Sequence, residues 1–224
     1  MDATALKKKI FLALLATPVI LGIFLFGPAG TLDYWQAWVY IAILVVPASF
    51  VVLYFLKKDP AFLERRMRTK ESEARQGLII KVSALMFIIA FLIPGFDYRF
   101  GWSLVPHEIS IVADVFVFLG YLLIFLVFRE NGYAGRTVQV DKGQRVISTG
   151  PYSVVRHPMY VGTLVMYMAT PIALGSYVAV PAFILLIPVI VLRILNEEEV
   201  LRRDLPGYVE YCRKTRYRLI PFIW

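Results

Sequence analysis

Long apolar runs separated by short polar breaks make up most of this chain. Ile10–Phe26, Trp35–Leu56, Leu78–Phe96 and Ile109–Phe128 are each almost bare of charge. Each approaches or reaches the roughly 20 residues that carry a helix across a bilayer. Two further runs, Met159–Leu174 and Tyr177–Ile194, are separated only by Gly175-Ser176, a spacing that predicts a tight helical hairpin. The pattern predicts an all-α polytopic membrane protein of about six transmembrane helices, the last two forming that hairpin. Pro18 lies inside the first run, where neighbouring helices re-satisfy the backbone group that it frees. Trp35 and Trp38 stand as interfacial anchors at the start of the second. Asp114 falls about one turn inside the fourth, near enough to the interface for a structural role.

The polar stretches are fewer and more distinctive. Lys57–Gln76, with Arg65-Arg66-Met67-Arg68, predicts a basic loop or surface helix. It suits anionic lipid headgroups, and no RNA- or DNA-binding motif accompanies it. Arg129–His157 is long and broken by Gly132, Gly135, Gly143 and Gly150. Within it, Thr137–Val140 and Arg145–Ser148 read as short β-like pieces around a Lys142-Gly143 turn. A loop of this length is usually functional or disordered, and this one carries too many apolar residues for disorder. The tail after Ile194 holds an acidic triplet, Glu197–Glu199, then Arg202-Arg203, a Pro206-Gly207 break and Tyr208, Tyr211 and Arg213–Arg218.

Composition agrees with the pattern. Of 224 residues, 59% are hydrophobic and only 18% charged, which excludes an ordinary soluble domain. The net charge of +8 is unevenly placed: of 24 Lys and Arg residues, only Arg99 falls in the breaks Gly27–Tyr34, Asp97–Glu108 and Gly175-Ser176. Basic residues mark the cytoplasmic side, so six spans put both termini there. The short length fits a prokaryotic cytoplasmic (inner) membrane. Lys7-Lys8-Lys9 precedes an apolar run without a small-residue cleavage site, so the first span is expected to remain uncleaved. Cys212 is the single cysteine, which excludes an intramolecular disulfide and offers no metal-ligand set. No adjacent histidine activates it as a nucleophile.

The densest chemistry lies between the fourth and fifth runs, at Gly150-Pro151-Tyr152 and Arg156-His157-Pro158-Met159-Tyr160-Val161-Gly162. Gly150-Pro151 predicts a turn. Pro158 disfavours helix at His157 and suits the first turn of the next helix. Arg156 and His157 therefore sit at a helix mouth, a place to hold an anionic or polar ligand. The plain alternative is interfacial snorkelling. Against it stand the chain's having only two histidines, the flanking Tyr152 and Tyr160, and a second polar cluster one hairpin later. In that cluster Arg193 and Glu197 are four apart and share a helical face. They form either a simple ion pair or a site in which Glu197 holds a cofactor and Arg193 an anionic substrate.

These elements together, Gly150-Pro151-Tyr152, Arg156 to Gly162, Glu197-Glu198-x-x-Leu201, Gly207-Tyr208-x-x-Tyr211 and Ile220-Pro221, resemble the isoprenylcysteine carboxyl methyltransferase family. The related phospholipid N-methyltransferases share the broad pattern. The resemblance covers about residues 129–224. It implies an integral membrane enzyme that uses S-adenosylmethionine (SAM), held in a cytoplasmic pocket formed by the long loop, the hairpin base and the tail. Carried over, Gln139, Gln144, Arg145, Val146, Ile147, Tyr152, Arg156, His157, Pro158, Met159, Tyr160 and Glu197 correspond to the cofactor site. Met159 stands where the family often has Ser or Asn, so a contact there runs through its backbone. Arg193 corresponds to the arginine near a substrate carboxylate. Residues 1–128 would then be four scaffold spans, and 129–224 the cofactor-binding part of one integrated domain.

The implied acceptor is lipidic or membrane-anchored, with a carboxylate favoured. Were it an amine, a base would be required, and Glu198 or a tyrosine is the candidate. Two other readings remain at this point. An NADPH-dependent membrane reductase of similar scaffold would need a basic set for the 2′-phosphate. A transporter or scaffold would need polar residues facing each other at mid-bilayer, where these spans carry almost none.

Overall fold

The computed structural model describes residues 3–68 and 74–224, with side chains described from 4 to 68 and from 77 onward. Everything regular in it is helical. In chain order the helices are α1 (Ala3–Ala29), α2 (Trp35–Lys58), α3 (Pro60–Arg66), α4 (Ala74–Phe100), α5 (His107–Glu130), α6 (Pro158–Ala173), α7 (Val180–Ile184), α8 (Leu186–Asp204) and α9 (Tyr208–Lys214). A single 3-10 turn, Gly150–Ser153, precedes α6. The four predicted N-terminal spans are α1, α2, α4 and α5, each extended by a turn or so at its ends. The basic stretch after α2 contributes α3, started by Pro60 and capped by the Asp59 carboxylate, which accepts from the Phe62 N–H at 2.9 Å. Residues 69–73 of that stretch lie outside the described residues, and its last three begin α4.

Among the described residues, five helical stretches are long and apolar enough to cross a membrane: Thr4–Ala29, Trp35–Lys58, Gly77–Phe100, His107–Glu130 and Val180–Asp204. The expected fifth span folds as α6, with 16 residues. At 1.5 Å per residue that is about 24 Å, short of the roughly 30 Å hydrocarbon core. The last stretch is interrupted at Leu185, between α7 and α8. Pro188 explains the interruption: it has no N–H to offer the Ile184 carbonyl, and its ring crowds that carbonyl.

The expected β-like pieces at 137–140 and 145–148 are not strands, and the described residues contain none. No neighbouring edge runs beside them, so the polar side chains close the turn locally instead. Gln139 Nε2 donates to Asp141 Oδ1 at 3.1 Å, and the Asp141 N–H donates to Gln144 Oε1 at 2.9 Å. A second unanticipated element is α9, which folds the tail back beneath α8.

Packing is tightest between α5 and α6, the most extensive helix pair. Gly120 and Gly162 meet at the crossing: a β-carbon on Gly162 would lie 2.7 Å from the Gly120 carbonyl oxygen, and one on Gly120 would lie 2.7 Å from that of Gly162. Only hydrogen at both positions lets the two backbones approach this closely. The larger hydrophobic core joins α1, α2, α4, α5, α6 and α7 around Leu25, Tyr40, Phe91, Val117 and Phe183. At the end of the bundle away from α9, the buried Asp97 accepts from the Ser103 N–H at 2.7 Å and from the hydroxyls of Ser103 and Ser176. That cluster ties the α4–α5 connection to the α6–α7 turn. Asp114 is buried in α5, with neither oxygen hydrogen-bonded.

Candidate functional site

One face of α8 builds the wall of a cleft. Arg193, Glu197 and Leu201 recur every fourth residue and line it, as the 3.6-residue helical repeat requires, and Leu205, the residue after α8, lines it too. The other walls come from the connection after α5 (Asn131, Tyr133 to Gly135, and Thr137 to Gln139), from Gln144 to Ile147, from the α6 mouth and from Tyr208 and Tyr211 of α9. The cleft encloses about 850 Å³ of empty space, counting its open mouth.

Tyr160 sits at the centre of its charged end. Its hydroxyl donates to Glu197 Oε2 at 2.6 Å and accepts from Arg193 Nε at 2.9 Å. Arg193 also donates through Nη2 to the Arg136 carbonyl at 2.7 Å. Arg193 and Glu197, expected to form either an ion pair or a site, are thus bridged by a phenol, and the guanidinium holds part of the cleft's covering loop. From the other side Arg66 of α3 donates to the Gly135 carbonyl at 3.0 Å, while Arg65 donates to Gly132 at 2.8 Å. Burial lowers the Arg66 guanidinium to about 10, which leaves it charged at neutral pH. The covering loop is therefore held by arginines from both halves of the chain.

The helix mouth has the predicted form. Gly150 takes φ +55°, the 3-10 turn follows, and Pro158 opens α6. The tail then closes on it, with the Arg156 N–H donating to Tyr217 O at 2.9 Å and the His157 N–H to Arg218 O at 3.0 Å. Below this lies the adjacent row of α8, Ile190, Ile194 and Glu198, all buried. Glu198 accepts from Arg156 Nε at 2.7 Å and Arg218 Nε at 3.0 Å, and its Oε1 lies 3.3 Å from His157 Nε2. Arg156 further donates to the Thr215 and Arg216 carbonyls at 3.1 and 2.8 Å. Arg156 and Glu198 thus lock mouth, helix and tail together.

Tyrosines furnish the rest. The Tyr152 hydroxyl accepts from Asn131 Nδ2 at 2.9 Å, and the Tyr211 hydroxyl donates to Tyr152 O at 2.7 Å. Burial raises the Tyr211 phenol to about 12, and burial likewise pushes Tyr152 and Tyr208 up. All three remain protonated donors at neutral pH. The Tyr208 hydroxyl is buried with no hydrogen-bond partner, an arrangement that costs roughly 1–3 kcal/mol unless a ligand or water completes it.

Of the fourteen site residues expected from the sequence, Gln139, Gln144, Arg145, Val146, Ile147, Tyr152, Arg156, His157, Met159, Tyr160, Arg193 and Glu197 line this cleft. Pro158 and Glu198 do not. Pro158 starts the helix, and the Glu198 carboxylate points into the cation cluster beneath. Sequence reading missed Asn131, Leu205 and Arg66 of α3, which holds the covering loop, and it quoted Leu201 in a motif without assigning it to the site. Leu201 was accessible as the next i+4 position after Glu197, whereas nothing local marks Arg66.

Comparison with known proteins adds a partial family match. Residues 109–205 match the phospholipid methyltransferase family model. The match, 97 of 224 residues, runs from near the start of α5 to the residue after α8. It bears out the resemblance read from Arg156–Gly162 and Glu197–Leu201. The delta(14)-sterol reductase of Mus musculus is 30% identical over 105 residues, 43% of this chain and 25% of that protein. The nickel-cobalt-cadmium resistance protein NccN of Alcaligenes xylosoxydans xylosoxydans is 35% identical over 79 residues, 33% of this chain and 35% of that one. The chain thus spans about a quarter to a third of the length of these curated relatives. A solved structure of the eukaryotic isoprenylcysteine carboxyl methyltransferase is 18% identical with a TM-score of 0.49, covering 100% of this chain and 88% of that one.

Proposed function

We propose that the protein is an integral membrane methyltransferase that uses S-adenosylmethionine to methylate a lipidic or membrane-anchored acceptor, a carboxylate by preference. The observation that carries this reading is the coincidence, within residues 109–205, of the phospholipid methyltransferase match with the Arg193–Tyr160–Glu197 end of the cleft. The cleft's chemistry suits the cofactor. Glu197 is an acceptor for hydroxyl or ammonium groups, Gln139 and Gln144 offer amides, and the unpartnered Tyr208 hydroxyl awaits a polar atom. Arg145 makes no hydrogen bond or ion pair among the described residues and is available to a carboxylate. His157, Met159 and the Val146-Ile147 pair supply the remaining contacts, with Arg156 and Pro158 holding the mouth in place.

Bound in this cleft, the cofactor would supply an activated sulfonium methyl. The protein's part is positional, because a carboxylate oxygen is already nucleophilic near neutral pH and in-line transfer needs close alignment without water. Arg193, fixed by Tyr160 and the Arg136 carbonyl, stands at the charged end of the cleft where it would orient the acceptor. Tyr160 keeps Arg193 and Glu197 at a fixed separation, so acceptor and cofactor ends stay in register. Arg65 and Arg66 hold the covering loop down and limit water. Glu198, enclosed by cations, acts on this assembly by holding Arg156 and the tail. Residues 1–128 serve as the membrane scaffold and 129–224 as the cofactor-binding part, with the cleft and both termini on the cytoplasmic side.

The sterol reductase likeness favours one competing reading, NADPH-dependent reduction. A single assay separates them. Purified protein is incubated with a membrane lipid extract and methyl-labelled SAM, and in parallel with NADPH. Label in a lipid product that base hydrolyses as a methyl ester is the expected result. Label in a base-stable amine would move the acceptor class to N-methylation. NADPH oxidation without label would overturn the proposal.

A further inference from the structure

The segment from Arg218 to Trp224 folds into a tight turn beside α8. The N–H groups of Arg218 and Leu219 donate to Trp224 O at 2.8 and 3.0 Å, and the Ile223 and Trp224 N–H groups donate to Ile220 O, both at 3.1 Å. Two features of this turn are unusual for an aqueous surface. Its tip is apolar and open, with Ile220 50%, Phe222 89% and Ile223 77% exposed. Phe222 also holds φ +67°, the one non-glycine residue with positive φ among those described. Such a backbone persists where its surroundings hold it.

The turn is fixed at a definite height. Leu219 is buried against Ile190, Ile194 and Tyr160, and Trp224 packs on the same cluster. Ile190 and Ile194 belong to the apolar stretch that crosses the membrane. A turn seated on them stands beside that apolar stretch, with its own apolar tip left open. Behind the tip, residues 211–224 carry Arg213, Lys214, Arg216 and Arg218 and no acidic residue. The Arg218 guanidinium stacks over the Trp224 ring at 5.1 Å. An apolar point with a cationic collar matches the layered chemistry of a lipid surface, acyl chains below and anionic headgroups above.

We propose that the 218–224 turn is a membrane-inserted foot, with Phe222 and Ile223 immersed in the acyl region of an anionic bilayer. Its lipid contact bears directly on the cleft. Tyr217 and Arg218 pair through their carbonyls with the N–H groups of Arg156 and His157, and Arg218 also holds Glu198. The foot therefore sets the height of the cleft mouth relative to the headgroups, where a lipid-borne molecule presents its polar end. The inference rests on packing and exposure and is independent of which group the cleft transfers.

The test uses the full chain in nanodiscs containing phosphatidylglycerol. Cys212 is replaced by Ser, a single cysteine is placed by Phe222→Cys, and it is labelled with the environment-sensitive dye NBD. The comparison site is Lys142→Cys, on the exposed loop turn. At 222 the dye emission is expected to shift to the blue, to be quenched by spin-labelled acyl chains, and to show at least threefold less iodide quenching than at 142. Emission and iodide quenching equal to position 142 would overturn the proposal. A blue shift with neither quencher effective would also overturn it, because the tip would then lie against protein. Elution of the labelled protein as the same monodisperse peak as the parent shows that the fold is retained.

Discussion

Replacing Glu198 with Gln separates a structural role from a chemical one. The carboxylate is 3% exposed and faces Arg156, whose side chain is 5% exposed, with His157, Arg202 and Arg218 around it. Gln preserves the shape but removes the charge. It also turns one carboxylate oxygen into an N–H donor that faces other donors. At least two charge-assisted hydrogen bonds, from Arg156 at 2.7 Å and Arg218 at 3.0 Å, lose their ionic component. Each is worth roughly 1.5–3 kcal/mol, a sum consistent with the roughly 3–5 kcal/mol lost on breaking a buried pair. Arg156 keeps the Thr215 and Arg216 carbonyls, so the loss should fall towards the lower end. Thermal unfolding in detergent micelles should show a midpoint lower by on the order of 10 °C. Limited proteolysis should cut preferentially in 213–220, where basic residues are released from the mouth. The double variant Arg156→Met, Glu198→Leu removes both charges and should recover most of the midpoint, because no buried charge is then left alone. A Glu198→Gln protein with unchanged midpoint and proteolysis but turnover lower by a hundredfold or more would refute this reasoning and make Glu198 a participant in proton transfer.

Glu197→Gln should leave the thermal midpoint nearly unchanged and weaken SAM binding by calorimetry, by roughly 1.5–3 kcal/mol or about ten- to 150-fold; unchanged affinity would remove Glu197 from the cofactor site. Arg193→Lys should keep SAM affinity and lower turnover on a carboxylate acceptor tenfold or more, about 1.4 kcal/mol, since lysine lacks the planar fork that also holds Tyr160 and Arg136. Wild-type turnover would reduce Arg193 to a loop tether. Gly162→Ala should cost roughly 1–3 kcal/mol by forcing α5 and α6 apart at Gly120, read as a lower midpoint in micelles. Gly27→Ala, where a β-carbon meets nothing within 4 Å, is the neutral comparison.

What the sequence disclosed follows the helical repeat, and what it hid follows from contacts between distant segments. Hydrophobic runs fixed α1, α2, α4 and α5, because a bilayer demands unbroken apolar length. The same rule placed α6 within a residue at each end, Pro158–Ala173 against the run Met159–Leu174, and at 16 residues it is shorter than those four. The repeat also carries a finer distinction within the triplet Glu197–Glu199. Neighbouring residues on a helix point about 100° apart, so the three carboxylates cannot share one duty. Tracing back by fours, Glu197 falls on the row of Arg193, and Glu198 on the row of Ile190 and Ile194. An acid whose row is otherwise isoleucine is directed into packing, where it needs cations to accompany it. An acid whose row is arginine and leucine is directed to a cleft. Sequence alone could therefore have split the pair. It could not have supplied the cations, because Arg156 and Arg218 reach Glu198 across 42 and 20 residues. Nor could it have placed Tyr160 between Arg193 and Glu197, because that bridge exists only when α6 packs alongside α8. The i+4 spacing correctly put two charges on one face, and the third side chain then keeps them apart. That separation fits the proposed function, in which Glu197 and Arg193 serve different molecules, whereas a direct ion pair would commit each group to the other.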